Sequence, residues 1–202
     1  MRDLRSALPA ALLSIVAAGA TVLPVTPAAA AVDNSDPGKF VDTLTDEAFG
    51  VLRKAGANRN AARTQFRSLL SQHFAIDAIG DRLIRRWRPT ITPAQYTAYK
   101  AALPNFLIGA YADRLYDYAN ADLKVIRAVP RGTSAAVQTQ VTKPGAQPIN
   151  AVWTVDKVGG GYKVSNLTVA GINLAVTQQA DFDAFVQRKG FDALVAFMKS
   201  KG

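Results

Sequence analysis

The stretch over residues 161–198 limits the possible folds most sharply. From Tyr162 to Val169, β-branched and aromatic residues alternate with polar ones, the period of a strand with one buried face. Gly171 breaks the alternation, and Ile172 and Leu174 carry apolar side chains past the bend. From Asp181 onward Phe182, Phe185 and Val186 recur at helical spacing. Gly190 stops that helix, and Phe191, Leu194, Val195 and Met198 repeat the pattern. One strand feeding two helices with this much apolar surface requires a sheet or further helices to cover it.

The rest of the chain supplies both. Helical spacing predicts helices over residues 35–55, 59–74 and 76–87, the last stopped by Pro89. Thr92-Pro93 is an N-cap followed by proline in the first turn, opening a long helix to about residue 119. Pro104 in its middle is expected to kink or split it. At Asn120 the period changes to two, and strands are expected over residues 123–129, 135–142, 149–158 and 162–169. Pro130-Arg131-Gly132, Lys143-Pro144-Gly145 and Gly159-Gly160-Gly161 connect them, and such short links favour antiparallel pairing. The expected class is α+β, with helices gathered on one face of an antiparallel sheet of about four strands.

Arg2 and Arg5 precede an uncharged run from Ser6 to Ala31 that ends in small residues, the order of a secretory signal peptide over residues 1–31. A retained membrane anchor is the alternative, made harder by Pro9, Pro24 and Pro27. Removing 31 of 202 residues leaves 171, enough for one domain over residues 32–202. With Arg2, Arg5 and Asp3 gone, the net charge falls from +9 to +8. The absence of cysteine means that the fold needs no disulfide in an oxidising compartment. The expectation is an exported, basic protein, and export argues against a nucleic-acid partner.

Catalytic chemistry is sparse. His73 has Asp77 four residues on, but two ligands without a third and fourth make no metal site. There is no G-x-S-x-G elbow, P-loop, G-x-G-x-x-G or cysteine nucleophile. The glycines from Gly159 to Gly161 join two strands and fit a hairpin. Asp113 and Asp117, one helical turn apart with Arg114 beside them, read as a solvated face. No catalytic residue, metal or cofactor is assigned. A basic cluster is more suggestive: Arg82, Arg85 and Arg86 share a helix face, Arg88 follows, and Trp87 sits among them. It suits docking to lipid headgroups or an acidic partner, and equally an ordinary charged face with Trp87 packed inward.

Apolar supply is the other unusual quantity. Leu107, Tyr111, Leu115 and Tyr118 form a stripe on the long helix, while Val137 and Val141, then Ala151, Trp153 and Val155, line strand faces. These side chains can fill a core or leave a dry cavity between sheet and helices.

The ordered combination of Leu107-Ile-Gly-Ala-Tyr111-Ala-Asp-Arg-Leu115, Val137-Gln-Thr-Gln-Val141, Val152-Trp153-Thr-Val155, Gly161-Tyr-Lys-Val164 and Val169-Ala-Gly171-Ile-Asn-Leu174 with Asp181-Phe182 following resembles the MlaC-type periplasmic lipid-binding proteins. These are also known as toluene-tolerance proteins or ABC-transporter auxiliary components, and hopanoid-associated relatives share the pattern. The likeness runs from Phe40 to Met198; no single motif is specific, but their order is. It implies an NTF2-like curved sheet with helices around an apolar pocket that takes phospholipid acyl chains. It also implies a carrier moving lipid between an inner-membrane ABC complex and an outer-membrane lipoprotein-porin complex; a monomer is expected. Roughly 30 acyl methylenes at about 0.8 kcal/mol each amount to about 24 kcal/mol against water, so lipid cannot cross an aqueous gap unaided.

The residues expected to bind lipid are Tyr111 and Leu115 on the helix, with Val137, Val141, Trp153, Val155, Val164, Leu167, Val169 and Ile172 on or just past the strands. Strict alternation would turn Val164 away from Leu167 and Val169 unless a bulge intervenes. The arginines Arg82, Arg85, Arg86 and Arg88 form a separate docking expectation. Hopanoid or another apolar cargo, a small enzyme on the same scaffold using a buried aspartate, and a purely structural protein with a filled core stay open alongside it.

Overall fold

The computed structural model of the protein describes residues 31–56 and 58–202, so the expected leader falls outside it apart from Ala31. Helix α1 (Pro37–Ala55) opens at Asp36, whose carboxylate accepts from the backbone N–H of Gly38 at 2.7 Å and Lys39 at 3.1 Å. Helix α2 (Arg59–His73) is capped by Asn58, and α3 (Ile76–Leu83) follows. Helix α4 (Pro93–Leu115) begins with a reciprocal capping box between Thr92 and Gln95 and ends in a 3-10 turn, Tyr116–Tyr118. Helices α5 (Leu174–Lys189) and α6 (Phe191–Lys201) close the chain, hinged at Gly190 with φ 82°.

Between them lies an antiparallel sheet in chain order: β1 (Asp122–Arg131), β2 (Ser134–Thr142), β3 (Ile149–Val158), β4 (Gly161–Val169) and the two-residue β5 (Ile172–Asn173). Two bulges shape it. On β1 the pairing passes from Val125 opposite Thr139 to Arg127 opposite Gln138, skipping Ile126. On β4 it passes from Val164 opposite Val155 to Asn166 opposite Thr154, skipping Ser165. Each extra residue bends its strand and resets the alternation of faces. One face therefore collects Leu123, Val125 and Ala128 from β1 with Val164, Leu167 and Val169 from β4, opposite the apolar positions of β2 and β3.

Two cores form on this frame. Helix α1 lies across one end of the sheet face, where Phe40, Val41 and Leu44 pack with Val137, Val155 and Val164. The second core is mostly helical: Tyr99, Leu103 and Phe106 of α4 meet Phe182 of α5 and Leu194 and Met198 of α6. Phe106 and Phe182 lie 5.4 Å apart, and the Tyr99 hydroxyl donates to the Gly80 carbonyl at 2.9 Å.

The elements differ from the sequence expectation at four places. Helix α3 ends at Leu83, and residues 84–90 form successive turns, so Arg85, Arg86, Trp87 and Arg88 are not helical. Helix α4 passes through Pro104 without splitting; one backbone hydrogen bond is lost, and buried Leu103 and Phe106 on either side hold the helix together. Helix α5 starts at Leu174, seven residues before Asp181, where the sequence pattern opens, because Asn173 caps it by accepting from the Val176 N–H. The fifth strand exceeds the expected count by a two-residue return of β4. Among the described residues no helix is long and apolar enough to cross a membrane.

Candidate functional site

The two cores do not meet everywhere. Where they separate, a cavity of about 390 Å3 opens between the sheet, α1 and α2 on one side and α4 and α5 on the other. Its floor is buried: Leu44 and Phe49 of α1, Phe66 and Leu69 of α2, and Val164 of β4. Several of its half-buried lining residues gather at one end of the sheet. There Leu123 begins β1, Val141 ends β2, Ile149 begins β3, Val169 ends β4 and Leu174 begins α5, with Tyr111 and Tyr118 opposite. That end is the mouth.

The lining is largely apolar, and most of its few polar groups are engaged with protein. The Thr45 hydroxyl donates to the Val41 carbonyl at 2.8 Å, and the Trp153 indole N–H donates to Thr139 Oγ1 at 3.1 Å. Tyr111 donates its hydroxyl to Gln178 Oε1 at 3.3 Å, linking α4 to α5 across the cavity. Asn166 Oδ1 is buried without a partner among the described residues. No described lining side chain is a carboxylate, imidazole, amine or guanidinium. Such a chamber suits an uncharged apolar body.

The expected site residues divide by position. Tyr111, Val141, Trp153, Val164, Leu167 and Val169 line the cavity. Val164 shares it with Leu167 and Val169 because the bulge at Ser165 intervenes. Val137 and Val155 belong to the same sheet face, but both are fully buried beneath α1 and form packed core, not cavity wall. Ile172 is 57% exposed: the turn at Ala170-Gly171 carries it outside the chamber, onto the rim. Leu115 ends α4, and its side chain lies outside the described set, as does that of Asp113. The floor residues Leu44, Phe49, Phe66 and Leu69 are missing from the sequence expectation. Their helical spacing marks them as inward-facing, which is the same signal that core residues give.

The titratable candidates lie elsewhere. His73 ends α2 and packs on Phe40, ring centroids 6.0 Å apart; burial pushes its imidazole pKa below the usual value. Asp77 is ion-paired with Lys100, so the two do not form a unit. Among the arginines, Arg82 donates to the Ser165 carbonyl at 3.2 Å, Arg86 stacks on Trp87 at 5.1 Å, and Arg88 lies 3.8 Å from the Tyr96 ring centre. Trp87 is half-buried and donates to Asp183 at 2.7 Å, so it serves the helical core.

The family model described as MlaC protein matches residues 42–200. The chain belongs to the MlaC family. A toluene tolerance protein, ttg2D of Pseudomonas putida, is 26% identical over 187 residues, covering 90% of this chain and 87% of that one. Among solved structures, the phospholipid-binding protein of Ralstonia solanacearum, determined with a phospholipid, superposes with a TM-score of 0.67 at 21% identity, over 80% of this chain and 93% of that one. The MlaC fold thus accounts for the bent sheet and helical cover, and the apolar chamber described above is this family member's own.

Proposed function

We propose that the protein is a periplasmic phospholipid carrier: the cavity takes the acyl chains, and the headgroup stays at the mouth. The observation that supports this most strongly is a chamber of about 390 Å3 whose described lining carries no carboxylate, imidazole, amine or guanidinium. A void of that size lined by aliphatic and aromatic side chains stays dry and favours an apolar occupant. Family membership and the phospholipid in the Ralstonia solanacearum relative support the same reading. Exchange between a bilayer and a dry chamber is nearly balanced in free energy, because acyl chains leave one apolar medium for another. A carrier can therefore both load and unload.

In this reading the chain is exported by the leader over residues 1–31 and works as a monomer. It moves lipid between an inner-membrane ABC complex and an outer-membrane lipoprotein-porin complex. The arginines from Arg82 to Arg88 dock an acidic protein partner. Arg85 is the exposed member with no described side-chain partner, so Arg85→Glu probes docking without disturbing the Arg82 contact to β4. Weaker partner binding with lipid retained is expected, and unchanged binding removes the docking face.

Native mass spectrometry with lipid extraction, on protein purified from the periplasm without detergent, tests the cargo. A stoichiometric phospholipid is expected. A hopanoid would change the cargo and keep the carrier. An empty protein that also takes no lipid from vesicles would overturn the reading.

A further inference from the structure

Two of the most exposed large aliphatic residues stand together on the rim of the cavity. Ile172 is 57% and Val176 61% exposed, four residues apart, and between them Leu174 and Ala175 line the chamber. The corner is fixed: the turn at Ala170 and Gly171, both with positive φ, feeds β5, and the Asn173 carboxamide accepts from the Val176 N–H at 3.1 Å. Residues 170–180 contain no charged side chain, so pressing this lip into an apolar medium strips no ion of its water. The neighbouring lip, residues 143–150, is joined to this turn by the Ala170 N–H donating to the Asn150 carbonyl at 2.9 Å, and has Lys143 as its one charge. Its ammonium lies 5.3 Å from the ring centre of Tyr118, which lines the cavity.

An apolar pair on one lip and a cation on the other match the two layers of a lipid surface. Two aliphatic side chains are far too little for a stable protein interface, which buries on the order of 1,000 Å2 or more, but they suffice for shallow insertion beside the headgroups. The net charge of +8 over residues 32–202 favours an anionic surface. We infer that the rim is a bilayer contact: Ile172 and Val176 dip below the headgroups of an anionic membrane while Lys143 sits on their phosphates. The mouth then opens directly onto the acyl layer, and lipid passes without meeting water. This inference rests on the lipid-carrier reading and adds the surface at which loading occurs.

The test uses vesicles of three parts phosphatidylcholine to one part phosphatidylglycerol, with a trace of fluorescent phospholipid. Flotation reads membrane contact and transfer to acceptor vesicles reads exchange. For the double variant Ile172→Ser, Val176→Ser, both signals should fall by about tenfold, the scale expected for losing two inserted aliphatics. Lipid already in the cavity should be retained as in the wild type, since both side chains stand outside it. Val176→Trp should raise flotation several-fold. Unchanged flotation in both variants overturns the inference and leaves the rim to a protein receptor. A wild type that floats through this rim yet never holds lipid would instead defeat the carrier reading while sustaining the membrane contact.

Discussion

The Trp153 indole N–H donates to Thr139 Oγ1 at 3.1 Å across the β2–β3 pair, which leaves the indole ring in the cavity wall with its polar atom satisfied. Thr139 is itself nearly inaccessible, at 2% exposure, and its hydroxyl leans toward the Ala151 carbonyl at 3.4 Å. Replacing it by valine keeps the shape but orphans the N–H. Thr139→Val should cost about 1–3 kcal/mol, whereas Thr139→Ser should cost less, both read by denaturant unfolding.

Gly109 holds α6 against α4. A Cβ there would overlap the Lys201 carbonyl, so Gly109→Ala must push the last turn of α6 outward. A loss of about 1–3 kcal/mol is expected. Gly50 is also inside a helix, but a methyl group added there would meet nothing within 4 Å. Gly50→Ala should gain about 0.5–1 kcal/mol. Opposite shifts in melting temperature check the pair.

Ala170 adopts φ 49°, a left-handed conformation that disfavours any residue with a Cβ, and Gly171 follows at φ 82°. A two-residue turn with both φ positive favours Asn-Gly. Ala170→Asn should therefore stabilise by roughly 0.5–1 kcal/mol, read as a raised unfolding midpoint.

His73 gives the fold a pH dependence. Burial, the largest influence, lowers its folded pKa below the ordinary 6.5, with Glu47 opposing. Between the folded and ordinary values the unfolded chain binds the extra proton, so stability declines as pH falls below about 6.5. His73→Gln should remove that part of the decline, seen as a smaller drop in stability between neutral and mildly acidic pH than in the wild type.

Ala151 faces the chamber from near the start of β3 and is 5% exposed. Ala151→Phe should place its ring in the void, so stability changes by only about 1 kcal/mol while co-purifying lipid drops to a small fraction. Loss of fold would show as a lowered melting temperature and would separate damage from blockade.

The sequence pattern carried the strands well because each is bounded by turn chemistry and has one apolar face. Residues 149–158 match β3 end to end. What alternation cannot show is where a phase resets. The bulge at Ser165 brings Val164 into line with Leu167 and Val169, and the bulge at Ile126 leaves an isoleucine 54% exposed. Nor does facing inward distinguish wall from filling. Val137 and Val141 occupy one face of β2, yet α1 seals the first, and the second borders the mouth. That difference depends on where a helix far away in sequence comes to rest. Ile172 stands outside the cavity wall for a local reason: its spacing continues β4, but the Ala170-Gly171 turn reverses the chain before it.

Acyl chains in the chamber should lie beside Trp153, and that placement can be read directly. The chain has two tryptophans, so a Trp87→Phe background leaves Trp153 as the lone indole emitter. Its fluorescence is then followed as the protein loads phospholipid brominated on the acyl chains, or phospholipid carrying a quencher on the headgroup. Strong quenching by the acyl bromines and weak quenching from the headgroup are predicted. Stoichiometric lipid binding that leaves Trp153 emission untouched by the bromines would place the cargo elsewhere and contradict the carrier site described here.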